Sequence, residues 1–207
     1  MESTLNGKKI AIVVAHEFED IELLYTMMRL SEEGASITVA TLPKDALGHF
    51  HTRPYFADKP ITGRFGSTVP LVVLEEGNRW VHKTTEQLDP KDYDAIVIPG
   101  GLGPDYLRIN EKTLNFVAEM YRQKKVVAAI CHGPQVLISV DAVMGTNIVK
   151  GKKVCSYLAV RDDLKNAGGL WEDIPAVRDG NVVTGRVPDD LPEFVSLIIE
   201  ALVKPKA

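Results

Sequence analysis

Short apolar runs cut off by charge or glycine punctuate this chain at residues 8–15 (KKIAIVVA), 35–41 (ASITVAT), 94–99 (DAIVIP) and 124–130 (KKVVAAI). Runs of this length, rich in β-branched residues, are expected of strands buried on both faces of a parallel sheet. Between them the apolar period changes. Ile21, Leu24, Met27, Met28 and Leu30 mark a helix over 20–33 that Gly34 ends, and Leu107, Leu114, Val117, Met120 and Tyr121 mark a second over 104–123. Farther on, 133–140 reads as a short helix, 152–157 (KKVCSY) as a strand, and 158–169 as a helix capped by Gly168. A hairpin turning at Asp179 and Gly180 follows, then an amphipathic helix over 191–203.

Strand, helix and strand in alternation form the βαβ unit of a parallel sheet, so the expected fold is a three-layer αβα sandwich of the α/β class. Its 207 residues are expected to form one domain, 1–207. The pattern loosens across about 43–87, which is rich in Gly, Pro and aromatics; only "TVPLVVLEE" there reads as a strand. Long irregular segments of this kind commonly cover a site or make oligomer contacts.

Composition narrows the function classes. The chain is 45% hydrophobic and 25% charged, with a formal net charge of −4 and no basic block, so a nucleic-acid surface is not expected. The first apolar run is too short to span a bilayer and lacks a cleavage site, which leads to the expectation of a cytoplasmic protein without a membrane partner. Two cysteines without CxxC spacing argue against a disulfide scaffold or a structural zinc. The spacing of His49 and His51 suits a metal, but no second pair accompanies it, and no metal is expected.

Chemistry gathers where strands end. In α/β sheets ligand sites lie at the carboxyl ends of strands, and three such ends carry unusual residues: "AHEFED" (15–20), "PGGLGPD" (99–105) and "AICHGP" (129–134). Cys131 falls at an abrupt strand-to-helix change with Ala129 and Gly133 two residues to either side, the setting of a nucleophile elbow. A helix starting just after it would aim amides at the sulfur and lower its pKa. His132 is placed to act as general base, oriented by Asp105 or a glutamate after the first strand. Gly100 and Gly101 lack the spacing of a nucleotide loop but leave a backbone N–H open toward a neighbouring site, as half of an oxyanion hole requires. A carboxylic acid beside the thiol would be kept protonated by burial and like charge. Glu17 and Asp20 read as surface or helix-start charges, Cys155 as core, and His16 and Gly100 as lining the site.

Together, "EFEDIEL", "YDAIVIPGGLGPDYLR", "AAICHGPQVL", "DDLKNAGGLWED" and "DGNVVTGRVPDDLPEF", in this order, resemble the ThiJ/PfpI superfamily, and most closely its PfpI-like branch. The resemblance covers nearly the whole chain apart from the expanded 43–87 region. It implies a flavodoxin-like, class-I glutamine-amidotransferase-like fold with Cys131 as elbow nucleophile, His132 beside it, Glu19 on the cysteine, and Gly101 with the His132 backbone as oxyanion hole. It also implies a dimer or dimer-built hexamer in which an acidic residue, here Asp105, reaches the histidine of a neighbouring subunit. The activities implied are hydrolysis of peptides or amides, or cofactor-free glyoxalase and deglycase chemistry on small carbonyl compounds. A redox role, with Cys131 oxidised to the sulfinate, is the alternative. A glutamine-amidotransferase subunit is a weaker one, because "GRVPDDLPEF" offers no late HxE.

Overall fold

A computed structural model describes residues 4–43, 60–69 and 80–204. The runs that read as buried strands form the middle of a seven-stranded sheet: β1 (Lys9–Val14), β2 (Ser36–Thr41), β6 (Ala95–Ile98) and β7 (Val126–Ile130). With β5 (Trp80–Thr84), β10 (Ala176–Asp179) and β11 (Val182–Gly185) the order is β10-β11-β7-β6-β1-β2-β5, parallel except for the β10–β11 hairpin. Two small two-stranded sheets stand apart, β3 (Ile61–Thr62) with β4 (Thr68–Val69), and β8 (Lys153–Val154) with β9 (Leu170–Trp171).

Alternation along β1 builds both cores, because successive side chains leave opposite faces of a strand. Ile10, Ile12 and Val14 pack with Leu23, Met27 and Leu30 of α1 (Asp20–Glu32) and with Phe194, Val195 and Ile198 of α6 (Leu191–Val203). Ala11 and Val13 pack on the other face with Leu107 of α2 (Gly103–Leu107), Val117 and Met120 of α3 (Glu111–Arg122), and Val136 and Val140 of α4 (Pro134–Met144). The short α5 (Arg161–Asn166) joins this second layer through Leu164. The flavodoxin-like three-layer sandwich expected from the sequence is therefore the fold observed.

Several boundaries differ from the sequence reading. The helix expected over 104–123 is two helices, because the Asn110 side chain accepts the Thr113 N–H at 2.9 Å and starts a new helix. "KKVCSY" contributes only β8, outside the main sheet, and the helix expected from residue 158 starts as a single 3₁₀ turn, Leu158–Val160, before α5. Edge strand β5, inside the stretch read as irregular, was missed; Trp80 at its start donates its indole N–H to Ser31 Oγ at 2.6 Å. Of the strand expected in "TVPLVVLEE" only Thr68–Val69 is described, and residues 70–79, with His49 and His51, lie outside the described residues. Among the described residues no helix is long and apolar enough to cross a membrane, and no cluster of His, Cys, Asp or Glu could hold a metal.

Strand order turns around between β1 and β6: β2 lies beyond β1 on one side and β7 beyond β6 on the other. Loops leaving neighbouring strands diverge at such a point and open a crevice at the carboxyl ends. The loops after β1 and β6 are tied together there by an antiparallel bridge between Phe18 and Gly101.

Candidate active site

Cys131 is the first residue past β7 and adopts φ of +61°, a left-handed conformation that costs a residue with a Cβ on the order of 1–2 kcal/mol. Both of its peptide groups are pinned: its N–H donates to Gly185 O and its carbonyl accepts the Tyr157 N–H, each at 3.0 Å. The neighbouring strand end and the loop after β8 thus hold the strained elbow the sequence predicts. Sγ is 3.3 Å from His132 Nδ1, and the His132 ring leans on Tyr157 with centroids 5.0 Å apart. The amides of Gly101 and His132 donate toward the sulfur.

The carboxylate against the thiol is Glu22 and not Glu19. Glu19 is the N-cap of α1, and its side chain folds back to accept the Glu22 N–H at 2.8 Å, the ordinary occupation of an acidic cap. Glu22, three residues on, is 0% exposed. Its Oε2 accepts the Gly100 N–H at 2.5 Å, while Oε1 is buried without a conventional partner. The apolar stripe read from the sequence pointed elsewhere: Ile21 and Met28 are exposed, and Glu22, Thr26 and Leu30 share the buried face of α1 instead, so the burial of Glu22 is a tertiary outcome.

Glycine is required at 100 and 101. A Cβ on Gly100 would stand 2.7 Å from the Cys131 Cβ and 2.8 Å from the His132 N, and Gly101, at φ +74°, presses on the backbone of Glu17 to Glu19. Gly100 therefore packs against Cys131 and spends its N–H on Glu22, so it lines the site without a free donor.

His16 is not on the rim. It is buried, and its Nδ1 accepts the Thr62 N–H at 3.2 Å, clipping β3 to the loop after β1. Asp20 is likewise no surface charge: 4% exposed, it holds the β3–β4 turn through its carboxylate. Asp105 is exposed on α2, and within one chain its charge already reaches His132. Cys155 is core, its thiol donating to Thr184 O at 3.1 Å.

The electrostatics overturn one expectation. Burial, and then the Glu22 carboxylate, push the Cys131 thiol up to about 12 despite the Gly101 and His132 amides, so the resting sulfur is protonated. Burial likewise lifts Glu22 to about 7, with Glu19 adding to it and the Gly100 N–H opposing. His132 is lowered, by burial first, with Arg64 acting the same way and Asp105 opposing, so its imidazole is neutral at pH 7. A protonated thiol thus sits between two proton acceptors that are competent near neutrality.

The family model described as DJ-1/PfpI family matches residues 8–201. The chain belongs to that family. It is similar to a Pyrococcus furiosus protein named deglycase PfpI, 39% identical over 92% of this chain and 99% of that protein. It is also similar to a Bacillus subtilis protein named putative cysteine protease YraA, 37% identical over 91% of this chain and 94% of that one. Among solved structures, a two-domain protein from Anabaena variabilis with DJ-1/ThiJ/PfpI-like and ferritin-like domains superposes with TM-score 0.77 at 32% identity; this chain spans half of its length. Schizosaccharomyces pombe DJ-1 superposes with TM-score 0.67 at 19% identity over 93% of this chain and 90% of that one, a likeness of fold.

Proposed function

We propose that this family member is a cysteine-dependent enzyme that uses Cys131 to attack small carbonyl compounds, in glyoxalase- or deglycase-type chemistry. The observation that carries the reading is the strained Cys131 held between the buried Glu22 carboxylate and His132 Nδ1, with two backbone amides aimed at its sulfur. In the first step the S–C bond forms, the carbonyl π bond breaks, and the thiol proton passes to Glu22. The developing oxyanion takes the Gly101 and His132 amides as donors. Glu22 then returns that proton to the oxygen, and neutral His132 is the second base, placed to accept the next proton released.

Burial of the nucleophile, 6% exposed, favours a compact carbonyl substrate over an extended peptide. The relative named deglycase supports the same choice, and the one named putative cysteine protease keeps peptide or amide hydrolysis as the second reading. Peroxide oxidises the thiolate, so the raised thiol pKa slows oxidation of Cys131, whereas in the carbonyl reaction Glu22 takes the proton as the S–C bond forms. Assembly of copies, with Asp105 of a neighbour oriented on His132, belongs to the same proposal, as does the absence of a cofactor.

The test is loss of methylglyoxal and release from a chromogenic peptide, assayed side by side for wild type and Cys131→Ser. Methylglyoxal turnover is expected to dominate and to fall at least about a hundredfold in the variant. Full activity in Cys131→Ser would sink the reading, and Cys131-dependent peptide release without methylglyoxal loss would replace it with the peptidase.

A further inference from the structure

The turn between β3 and β4, residues 63–67, is braced far more firmly than a surface turn needs. Asp20 uses both carboxylate oxygens on it: Oδ2 accepts the Phe65 N–H and Oδ1 the Ser67 N–H, each at 2.8 Å. Gly63 lies so close that a Cβ would run into that carboxylate. On the site side, the Arg64 N–H donates to Phe18 O at 2.9 Å, and the Glu17 N–H donates to Thr62 O at 2.7 Å. The turn is therefore locked onto the 16–20 segment, which is itself bridged to Gly101 beside the nucleophile.

What this brace presents outward is Arg64 and Phe65, both exposed, with the guanidinium 5.9 Å from the Phe65 ring centroid. Among the described residues no carboxylate pairs with Arg64. Burial is the main influence on both Glu22 and His132, but Arg64 is the cation whose charge reaches each of them. Asp105, the opposing exposed charge, reaches His132. With no carboxylate partner among the described residues, the Arg64 guanidinium, carried on a turn whose backbone is tied to the loop beside Cys131, offers a planar fork of donors that matches a carboxylate.

We propose that Arg64, positioned by the Asp20-braced turn, is a specificity residue that draws in substrates carrying a carboxylate next to the reacting carbonyl, as small 2-oxo acids do. This rests on Cys131 being the reacting nucleophile and adds the charge of the substrate it takes. Asp20 acts through Arg64 as a positioning residue.

Stoichiometric alkylation of Cys131 tests this without relying on turnover. Iodoacetate and iodoacetamide have nearly the same shape, and with either one the sulfur displaces iodide and forms a thioether; only iodoacetate brings a carboxylate. Rates are followed for the Cys131 peptide by mass spectrometry, separately from the Cys155 peptide. Dividing the iodoacetate rate by the iodoacetamide rate cancels any change in thiol ionisation. Arg64→Gln is expected to lower that ratio about fivefold, the effect of one unit charge a few ångströms away in a partly aqueous site, while Arg64→Lys keeps about half or more of it. An unchanged ratio in Arg64→Gln overturns the inference, as does an equal fall in both rates or a wild-type Cys131 that neither reagent labels. Loss of methylglyoxal turnover in Cys131→Ser together with an unchanged ratio would leave the nucleophile reading standing and remove this one alone.

Discussion

At the scale of single residues, the proton inventory around Cys131 turns on which glutamate is which. Glu22 faces the thiol and Glu19 caps the helix, so the two substitutions should separate cleanly. Glu22→Gln is expected to cut kcat on methylglyoxal by about ten- to a hundredfold or more, the usual worth of a general base. Glu19→Gln should cost up to about 1 kcal/mol of stability through the cap and leave kcat within a few-fold. Ionised Glu22 is the competent base, so wild-type kcat/KM should climb as pH rises through about 7, and Glu22→Gln should flatten that limb. The same group marks stability. Between its ordinary 4.5 and about 7 the folded protein holds a proton on Glu22 that the unfolded chain has released. Stability is therefore lost as pH rises through that window. Glu22→Gln removes the cost, and urea denaturation should find the variant gaining on wild type by roughly 1–3 kcal/mol more at pH 8 than at pH 4.5. An equal difference at both pH values would contradict a carboxyl with a raised pKa.

At the scale of elements, the site is a meeting of loop ends held together by backbone groups. Gly100 leaves β6, donates to Glu22 of α1, and lies against the Cβ of Cys131 leaving β7. Gly100→Ala should therefore separate these elements, costing about 1–3 kcal/mol as overpacking does. Activity should drop at least tenfold in protein that still unfolds cooperatively. A variant with wild-type activity would mean that the three elements do not depend on this close approach. Element by element, legibility followed burial. β1, β2, β6 and β7 were readable because strands covered on both faces are continuously apolar. β5 was not, because an edge strand with half-buried His82 and Lys83 carries no such run. The break before α3 was readable in principle from Asn110, but a helical stripe running through both helices hid it.

At the scale of the whole molecule, one parallel sheet covered on both faces makes stability uneven. The central strands β1, β6 and β7 lie under both layers of helix, whereas among the described residues β8 and β9 form a separate two-stranded sheet. Hydrogen exchange should release the amides of β8 and β9 well before those of β6 and β7, since opening of the central strands approaches global unfolding. Comparable protection in both sheets would show that the small one is part of the cooperative core. The elbow depends on the same frame. Cys131 keeps its positive φ because Gly185 at the end of β11 and Tyr157 beyond β8 each hold one of its peptide groups, and both come from later in the chain.

The sequence by itself determined the layered α/β architecture and the place of Cys131 at a strand end. Apolar runs, helical stripes and a Cys-His pair at a strand end are local patterns, and local chemistry dictates them. Only the tertiary structure decided which carboxylate meets the sulfur, that His16 and Asp20 are braces, that burial raises the thiol pKa, and that the turn carrying Arg64 is tied to the loop beside Cys131. Those outcomes depend on burial and on groups that are far apart in the chain, as Asp20 is from Ser67 and Glu22 from Gly100. Spacing along the chain records neither desolvation nor the direction in which a side chain leaves its helix.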